Sequence, residues 1–392
     1  MFAKLEKEEK AAFAASLTAL RSQIHSHPEL SSQEFETTAL VKKTLSQLGL
    51  ELLELGTSTG AAALLRGGKP GPTVGIRADM DALPVEEASG ADCASRNPGV
   101  MHACGHDIHI TALLGAAKLL SRRRQELCGN VIFLFQPAEE TVVGAESVIA
   151  SGFFERYPMT ALICIHVWPQ LPLGQVGVRC GAFLSGLDSF KITFTGHGGH
   201  GSMLNAVVDP IPAGASLALS ASAIANYNLP PLEPATISIC SIQAGYCDNV
   251  IPDTCVLLGT VRTFSQKSQL TARKCLLTQV EHTAAAYGCT GDMYLDHTLP
   301  PVVNSPELAR IMGRSADDIL GEGTWVKLDP VMISEDFAYY GAKVPTCCAL
   351  FGVGTEGELH SAFFFPPHDV LVPAALYLAR CAEEILKEKA GV

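Results

Sequence analysis

The 392-residue sequence lacks several features that define other classes of protein. No apolar stretch approaches the ~18 residues of a membrane-spanning helix, so we expect no membrane partner. The 35 glycines and 23 prolines follow no fixed period, which excludes a collagen-like chain. No Gly-x-Ser-x-Gly motif marks a serine nucleophile. The first ten residues are charged and lack the apolar core of a signal peptide, which predicts a cytoplasmic protein.

Charge is sparse and mostly negative. Charged residues make up 17% of the sequence and hydrophobic residues 47%, so the chain can bury a large core, which excludes wholesale disorder. Acidic residues outnumber basic ones by 40 to 28, giving a net charge of −12. Such a surface repels phosphate backbones, so we expect no nucleic-acid partner. The basic triplet at 122–124 fits the C-terminal end of a helix.

Cysteine is the residue type that the sequence has in unusual supply. The 13 cysteines are odd in number and scattered between Cys93 and Cys381. This distribution predicts mostly buried free thiols in a reducing cytosol rather than a disulfide framework.

Apolar strands alternate with helices over most of the chain, which predicts an α/β fold with a mostly parallel sheet flanked by helices. Ser31 and Glu34 are spaced as a capping box that would open a helix running to about Leu48. Between about 185 and 296 the order becomes β-α-β-β-α-β, typical of a ferredoxin-like α+β domain. We therefore predict one α/β domain (1–184 and 297–392) interrupted by an inserted domain (185–296).

Three histidines and a cysteine fall within eight residues, in the segment MHACGHDIH at 101–109. The segment lies where a loop meets the start of a predicted helix. Imidazole and thiolate are the usual ligands of Zn²⁺ and related ions. The cluster therefore predicts a metal site, although a polar loop with unrelated histidines has the same composition. Its members are His102, Cys104, His106 and His109.

Further polar residues follow predicted buried strands. Glu139 and Glu140 come directly after one such strand, and His166 ends the next. The carboxyl ends of parallel strands are where ligands bind in open α/β sheets. One carboxylate can bind a metal ion while its neighbour accepts a proton from water. His360 and the pair Asp79 and Asp81 also follow predicted strands.

Nine motifs in a fixed order extend these observations along almost the whole chain. They are HSHPELSSQE (25–34), IRADMDALP (76–84), MHACGHDIHITALLGAA (101–117), FLFQPAEE (133–140), GHGGHGS (196–202), NVIPD (249–253), GTVRTF (259–264), SEDFAYY (334–340) and HSAFFFPP (360–367). Together they resemble the amidohydrolase branch of the M20 metallopeptidase family. That branch includes N-acyl-amino-acid amidohydrolases, hippurate hydrolases and auxin-conjugate hydrolases.

The resemblance implies a role for each matching residue. Two divalent ions, with Mn²⁺, Zn²⁺, Ni²⁺ and Co²⁺ all admitted, would be held by Cys104, His106, Glu140, His166 and His360, with Cys104 bridging. Glu139 would be the general base, and Asp81 would orient a ligand histidine. The inserted domain would act as a lid or dimerisation domain, so a homodimer is expected. It would supply His200 and Asn249 to the oxyanion and Arg262 to the substrate carboxylate.

The resemblance implies metal-dependent hydrolysis of N-acyl amino acids. One departure affects substrate preference: Leu204 and Asn205 stand where the family has Pro-His. A dipeptidase or aminopeptidase of the same superfamily is one alternative. A binding protein that has kept the fold without turnover is the other.

Overall fold

A computed structural model describes residues 7–355 and 357–391, so the first six residues of the charged N-terminal segment lie outside it. The chain forms two units. One contains the described residues up to Gly181, then Val303–Asp329, and those from Tyr339 onward. The other contains Ala182–Val302 and Pro330–Ala338. Residues 330–338 thus lie in the second unit, although the sequence analysis placed them in the α/β domain of residues 1–184 and 297–392.

The first unit contains an eight-stranded sheet, in the order β1-β2-β4-β3-β5-β16-β6-β15. Its strands are β1 (Glu51–Leu53), β2 (Ala61–Arg66), β3 (Lys69–Asp79), β4 (Cys128–Gln136), β5 (Ala161–Trp168), β6 (Val176–Gly177), β15 (Trp325–Val326) and β16 (Thr346–Gly352). The four central strands, β4, β3, β5 and β16, run parallel. Most of their buried residues are apolar, as is typical of parallel strands in a sheet flanked by helices.

The helices of this unit pack around the same core. They are α1 (Lys7–His25), α2 (Phe35–Gln47), α3 (His106–Arg122), α4 (Gly144–Ala150), α5 (Phe153–Arg156), α9 (Pro306–Leu320) and α10 (Leu371–Ala390). Helix α3 is buried along most of its length and packs against α10. It ends at Arg122, as the basic triplet predicted.

The second unit is built on a four-stranded antiparallel sheet, in the order β10-β12-β8-β13. Its strands are β8 (Gly186–Thr195), β10 (Ala235–Ala244), β12 (Thr254–Thr263) and β13 (Thr290–Leu299). Helices α6 (Ile211–Ser220), α7 (Ala223–Asn228) and α8 (Gln266–Ala286) contact this sheet. Its short strands are β7 (Gly181–Leu184), β9 (Gly199–His200), β11 (Val250–Ile251) and, at the return to the first unit, β14 (Val302–Asn304). The predicted fold class is confirmed, while a lid or dimerisation role for this unit stays a prediction.

Two details correct the sequence analysis. Helix α2 begins after Glu34, but neither Ser31 nor Glu34 caps it. Instead Glu29 accepts the backbone N–H groups of Glu36 and Thr37, at 3.0 and 2.8 Å. All 13 cysteines are free, but only six are fully buried, fewer than predicted. Among the described residues, no helix is both long and apolar enough to cross a membrane.

Candidate metal centre

The polar residues predicted from strand ends meet at one edge of the first unit's sheet. Asp79 is the last residue of β3, Glu139 and Glu140 follow β4, and His166 lies near the end of β5. His360 follows β16, the next strand of the sheet. Because these strands are parallel, their carboxyl ends lie side by side, which brings residues distant in sequence to one place.

Five predicted ligands form one cluster here. The His166 Nε2 lies 3.4 Å from the Cys104 Sγ. The Glu140 carboxylate lies 3.7 Å from the His106 Nε2 and 3.8 Å from the His360 Nε2. Cys104 groups with His106 and His166 on one side and with Glu140 and His360 on the other. One sulfur atom thus belongs to two ligand groups.

The types of ligand atom, and the buried polar atoms among them that have no hydrogen-bond partner, fit a site for divalent cations. The buried His106 Nε2 and Glu140 Oε1 have no hydrogen-bond partner among the described residues. At 3.7 Å they are too far apart to bond each other, and unpaired buried polar atoms are costly. The Nδ1 of His106 lies 2.9 Å from the Asp81 carbonyl oxygen, which favours a proton on Nδ1 and a lone pair on Nε2. Thiolate, imidazole and carboxylate together suit Zn²⁺, Co²⁺, Ni²⁺ or Mn²⁺.

Electrostatics at the cluster favour added positive charge. Burial, and then the neighbouring Glu140, Glu139 and Asp79, raise the pKa of the Cys104 thiol well above its usual value. Burial is also the main reason that the pKa of Glu140 rises to about 7. Burial alone would lower the pKa of His106, but the nearby carboxylates, Asp79 first, raise it to about 10. A bound cation would reverse the first two shifts by stabilising thiolate and carboxylate.

A tight turn after β4 carries the two glutamates. Ala138 and Val142 both have positive φ, +54° and +65°, which is rare for residues with a side chain. The Gly144 N–H donates to the Ala138 carbonyl oxygen at 3.0 Å and closes the turn. A Cβ on Gly144 would lie 1.8 Å from the Pro137 carbonyl oxygen, so only glycine fits there.

Asp81 binds this turn as well as a ligand histidine. Its carboxylate accepts the backbone N–H groups of Glu139 and Glu140, at 3.1 and 2.9 Å. It also accepts the Ser31 hydroxyl at 2.6 Å and lies 3.4 Å from the His106 Nδ1. The interactions with His106 and Ser31 outweigh burial and lower the pKa of Asp81. Sequence reasoning predicted the histidine contact but not the two amide contacts.

A network of buried hydrogen bonds, which the sequence analysis did not predict, supports the ligand cluster. The His109 Nδ1 lies 2.5 Å from the Asp79 Oδ1, and the His109 Nε2 accepts the Val167 N–H at 2.9 Å. Arg77 donates to Asp79 at 2.7 Å and to Gln136 at 2.9 Å. These bonds link β3, β4, β5 and α3 at the edge where the candidate ligands meet. One signal for this network was available in the sequence. Arg77 and Asp79 alternate with apolar residues at the end of a buried strand.

His102 does not join the ligand groups, although it lies two residues before Cys104. Its ring is buried, and burial lowers its pKa to about 4. On the same side of α3, Asp107 accepts from the Arg21 Nε at 2.8 Å and lies 2.9 Å from the His25 Nδ1. The segment 101–109 thus serves more than one purpose. Cys104 and His106 belong to the ligand cluster, whereas His109 and Asp107 belong to two supporting networks of buried polar residues.

The second unit brings His200 and Asn249 side by side. Val250 pairs with His200 between β11 and β9, and the Gly201 N–H donates to the Asn249 carbonyl oxygen at 2.8 Å. The Ser202 backbone N–H donates to the His200 Nδ1 at 3.3 Å, which places the ring proton on Nε2. The His200 Nε2 is therefore a hydrogen-bond donor. Both residues are exposed within the described structure.

Arg262 lies on β12 of the same unit. Its guanidinium donates to the Met332 carbonyl oxygen at 3.1 Å and to the Ser334 hydroxyl at 3.0 Å. Burial lowers its pKa, and neither partner carries a charge. Leu204 and Asn205 lie in a short 3₁₀ turn (Leu204–Ala206) and are exposed.

Residues 75–384 match the family described as Peptidase family M20/M25/M40. The chain therefore belongs to this family, and it is a metal-dependent hydrolase.

Individual relatives narrow the comparison. The chain is 35% identical over 372 residues to an N-acetyl-L-cysteine deacetylase of Bacillus subtilis, with 94% of this chain and 88% of the relative covered. It is 35% identical to the IAA-amino acid hydrolase ILR1-like 2 of Arabidopsis thaliana, with 95% and 85% covered. The solved Bacillus subtilis YXEP protein, described as a dinuclear metal binding peptidase from the M20 family, is 34% identical with a TM-score of 0.84, covering 96% of this chain and 99% of that one.

Proposed function

We propose that this protein hydrolyses the amide bond of N-acyl amino acids and releases a carboxylic acid and a free amino acid. The observation that carries the proposal is the meeting of five ligand-type side chains around a turn that also carries Glu139. Relatives named as N-acetyl-L-cysteine deacetylase and N-acyl-L-amino acid amidohydrolase support this substrate class.

We further propose that two divalent ions would be held by Cys104, His106, Glu140, His166 and His360. Two groups of ligand-type side chains, both of which include Cys104, support a site for two ions. When bound, such ions polarise the amide carbonyl and acidify the attacking water. Mn²⁺, Zn²⁺, Ni²⁺ and Co²⁺ all suit these ligands. Asp81 orients His106 from behind.

Glu139 carries the proton in this proposal. Its carboxylate takes a proton from the attacking water and returns it to the leaving nitrogen, which must depart as a neutral amine. Its backbone N–H donates to Asp81, and the residue is 9% exposed. In this proposal Glu139 is not one of the five ligands, so its carboxylate is available for proton transfer.

Residues of the inserted unit complete the proposal. His200, with its proton on Nε2, and the Asn249 amide act as donors to the oxyanion of the tetrahedral intermediate. Arg262 binds the carboxylate of the amino-acid part, for which a guanidinium offers two parallel donors. We also propose a cytoplasmic homodimer formed through the inserted unit. Thirteen free cysteines support a reducing compartment.

The test is amine release from a panel of N-acetyl, N-benzoyl and longer N-acyl amino acids, with the matching dipeptides alongside. The protein is purified without chelator and assayed with Mn²⁺, Zn²⁺, Co²⁺ or Ni²⁺ in turn. We expect release from N-acyl amino acids that stops when a chelator is added. Faster cleavage of the dipeptides would favour a dipeptidase or aminopeptidase. Metal binding without any turnover would favour a binding protein.

A further inference from the structure

Three consecutive backbone amides in the turn after β4 are bound by two buried carboxylates. The Ala138 N–H donates to the Glu34 Oε1 at 2.8 Å. The next two amides, of Glu139 and Glu140, donate to Asp81. Glu34 lies more than a hundred residues earlier in the chain and is fully buried. The role that the resemblance implies for Asp81 does not account for the contact between Glu34 and Ala138.

The amide that Glu34 binds belongs to a residue in an unfavourable conformation. Ala138 has φ +54°, a region that side chains with a Cβ rarely adopt. The Glu34 oxygen is the acceptor for this buried amide, and a buried amide left without an acceptor is costly, so the bond can hold Ala138 in place. The Thr59 hydroxyl donates to the other oxygen of Glu34 at 2.7 Å, so both oxygens of this buried carboxylate have a partner. Glu34 thus holds the residue directly before Glu139.

We propose that Glu34 is a positioning residue, which holds Ala138 at positive φ and thereby sets the positions of Glu139 and Glu140. This inference rests on the proposed function for its effect on turnover. Its effect on metal affinity follows from the position of Glu140 alone. Glu34 is not one of the proposed ligands, and it acts through the Ala138 N–H in the backbone of the turn.

The main test compares Glu34→Ala with Glu34→Gln. Alanine removes the acceptor for the Ala138 N–H, whereas glutamine keeps an oxygen there, and the Thr59 hydroxyl can turn to accept from its amide. We expect Glu34→Ala to lower kcat and weaken Co²⁺ binding, each about 10–100-fold, with KM within about threefold. Glu34→Gln should stay within about threefold of the wild type in each quantity. Co²⁺ binding is followed by its visible absorption in the absence of substrate.

Two further variants separate positioning from a general loss of stability. Thr59→Val removes a bond to the same carboxylate but leaves the acceptor for Ala138, so we expect a lower melting temperature with unchanged kcat and Co²⁺ affinity. In Glu34→Ala, the added change Ala138→Gly should restore part of both quantities, because glycine adopts positive φ without steric cost. If Glu34→Ala does not fold, Glu34→Asp replaces it, since the shorter side chain keeps the charge but draws back from Ala138.

Several results would overturn the proposal. One is a Glu34→Ala (or Glu34→Asp) variant with wild-type kcat and Co²⁺ affinity. Another is a Thr59→Val variant whose kcat and Co²⁺ affinity fall as far as those of Glu34→Ala. If the wild-type protein hydrolyses no N-acyl amino acid, the proposed function fails by itself. The Co²⁺ affinities of the Glu34 variants then still decide whether Glu34 positions the turn.

Discussion

Adjacent residues in the turn after β4 have different environments. The Glu140 carboxylate faces His106 and His360, and burial raises its pKa to about 7. The Glu139 backbone is bound on both sides, since its N–H donates to Asp81 and its carbonyl oxygen accepts the Val142 N–H at 2.8 Å. Neighbouring glutamates in one turn can therefore take different chemical tasks, one as ligand and the other as proton carrier.

The change Glu139→Gln tests this division. Glutamine keeps the size and the backbone contacts but cannot accept a proton, so we expect kcat to fall about 10²–10⁴-fold. KM and the two bound ions per chain should be retained. Steady-state kinetics and metal analysis measure both. The control is Glu146→Gln on the exposed side of α4, which should behave as wild type. Full activity in Glu139→Gln would contradict the proposed mechanism.

His25 gives the first unit a pH-dependent contribution to stability. Burial alone would lower its pKa, but attraction to Asp107 and Glu87 and hydrogen bonds with both raise it to about 9. The charged ring therefore stabilises the fold below pH ~6.5, and this contribution is lost as the pH rises through about 9. We expect a loss on the order of 2–3 kcal/mol in the free energy of unfolding, measured in urea at pH 6 to 10.

The matched variants for this measurement are His25→Gln and His282→Gln. The first removes the titrating ring, so its stability should change less over this pH range than that of the wild type. The second removes an exposed ring on α8 and should keep the wild-type slope. Equal slopes in all three proteins would show that folding does not raise the pKa of His25.

At the level of elements, the apolar runs and their flanking polar residues were sufficient to predict β4, β5 and the candidate ligands at their ends. The spacing of Ser31 and Glu34 was not sufficient, because a capping box and a contact with a distant turn have the same local pattern. Their partners, Asp81, Thr59 and Ala138, depend on the order of strands in the sheet. A single sequence does not encode that order in any local signal.

The first turn of α4 offers a test of how tightly the glutamate turn is packed. Alanine is favoured over glycine in helices by about 1 kcal/mol, but the Cβ of Gly144→Ala would meet the Pro137 carbonyl oxygen at 1.8 Å. The clash outweighs the helix preference, so we expect a net loss of about 1–3 kcal/mol in unfolding free energy. Activity should fall as well, because the turn must shift.

The control for this change is Gly341→Ala. Its added Cβ would lie 3.5 Å from the nearest atom, the Thr346 Oγ1, which is an ordinary contact. Urea unfolding should leave Gly341→Ala close to wild type. A Gly144→Ala variant as stable as the wild type would mean that the turn is loosely packed.

For the whole molecule, metal binding and proton release are linked. Burial raises the pKa of Cys104 well above its usual value and that of Glu140 to about 7, and the nearby carboxylates raise that of His106 to about 10, yet all three groups must lose a proton to act as ligands. We therefore expect binding at pH 7 to release about two to three protons per chain and to weaken as the pH falls. Titration calorimetry in buffers of different ionisation enthalpy measures the number of protons released per chain.

Two variants identify the source of these protons. Cys104→Ser should release about one proton fewer, since a serine hydroxyl has no comparable tendency to ionise. Glu383→Gln removes a buried carboxyl on α10 whose pKa is raised by burial and which pairs with Arg123. It should leave the proton count unchanged. A count that is the same in Cys104→Ser and the wild type would argue against Cys104 as a ligand.

The inserted unit divides the first unit into two parts of the sequence, so these parts are synthesised at different times. Cys104, His106, Glu140 and His166 leave the ribosome before the inserted unit, whereas β16 and His360 emerge after it. Until β16 is made, β5 has an open edge in the middle of the sheet, and such edges promote aggregation of nascent chains. Ribosomes stalled before residue 346 would therefore carry a sheet that lacks β16, with four of the five candidate ligands. Translation of the last 47 residues, from 346 to 392, thus supplies the strand that covers the edge of β5.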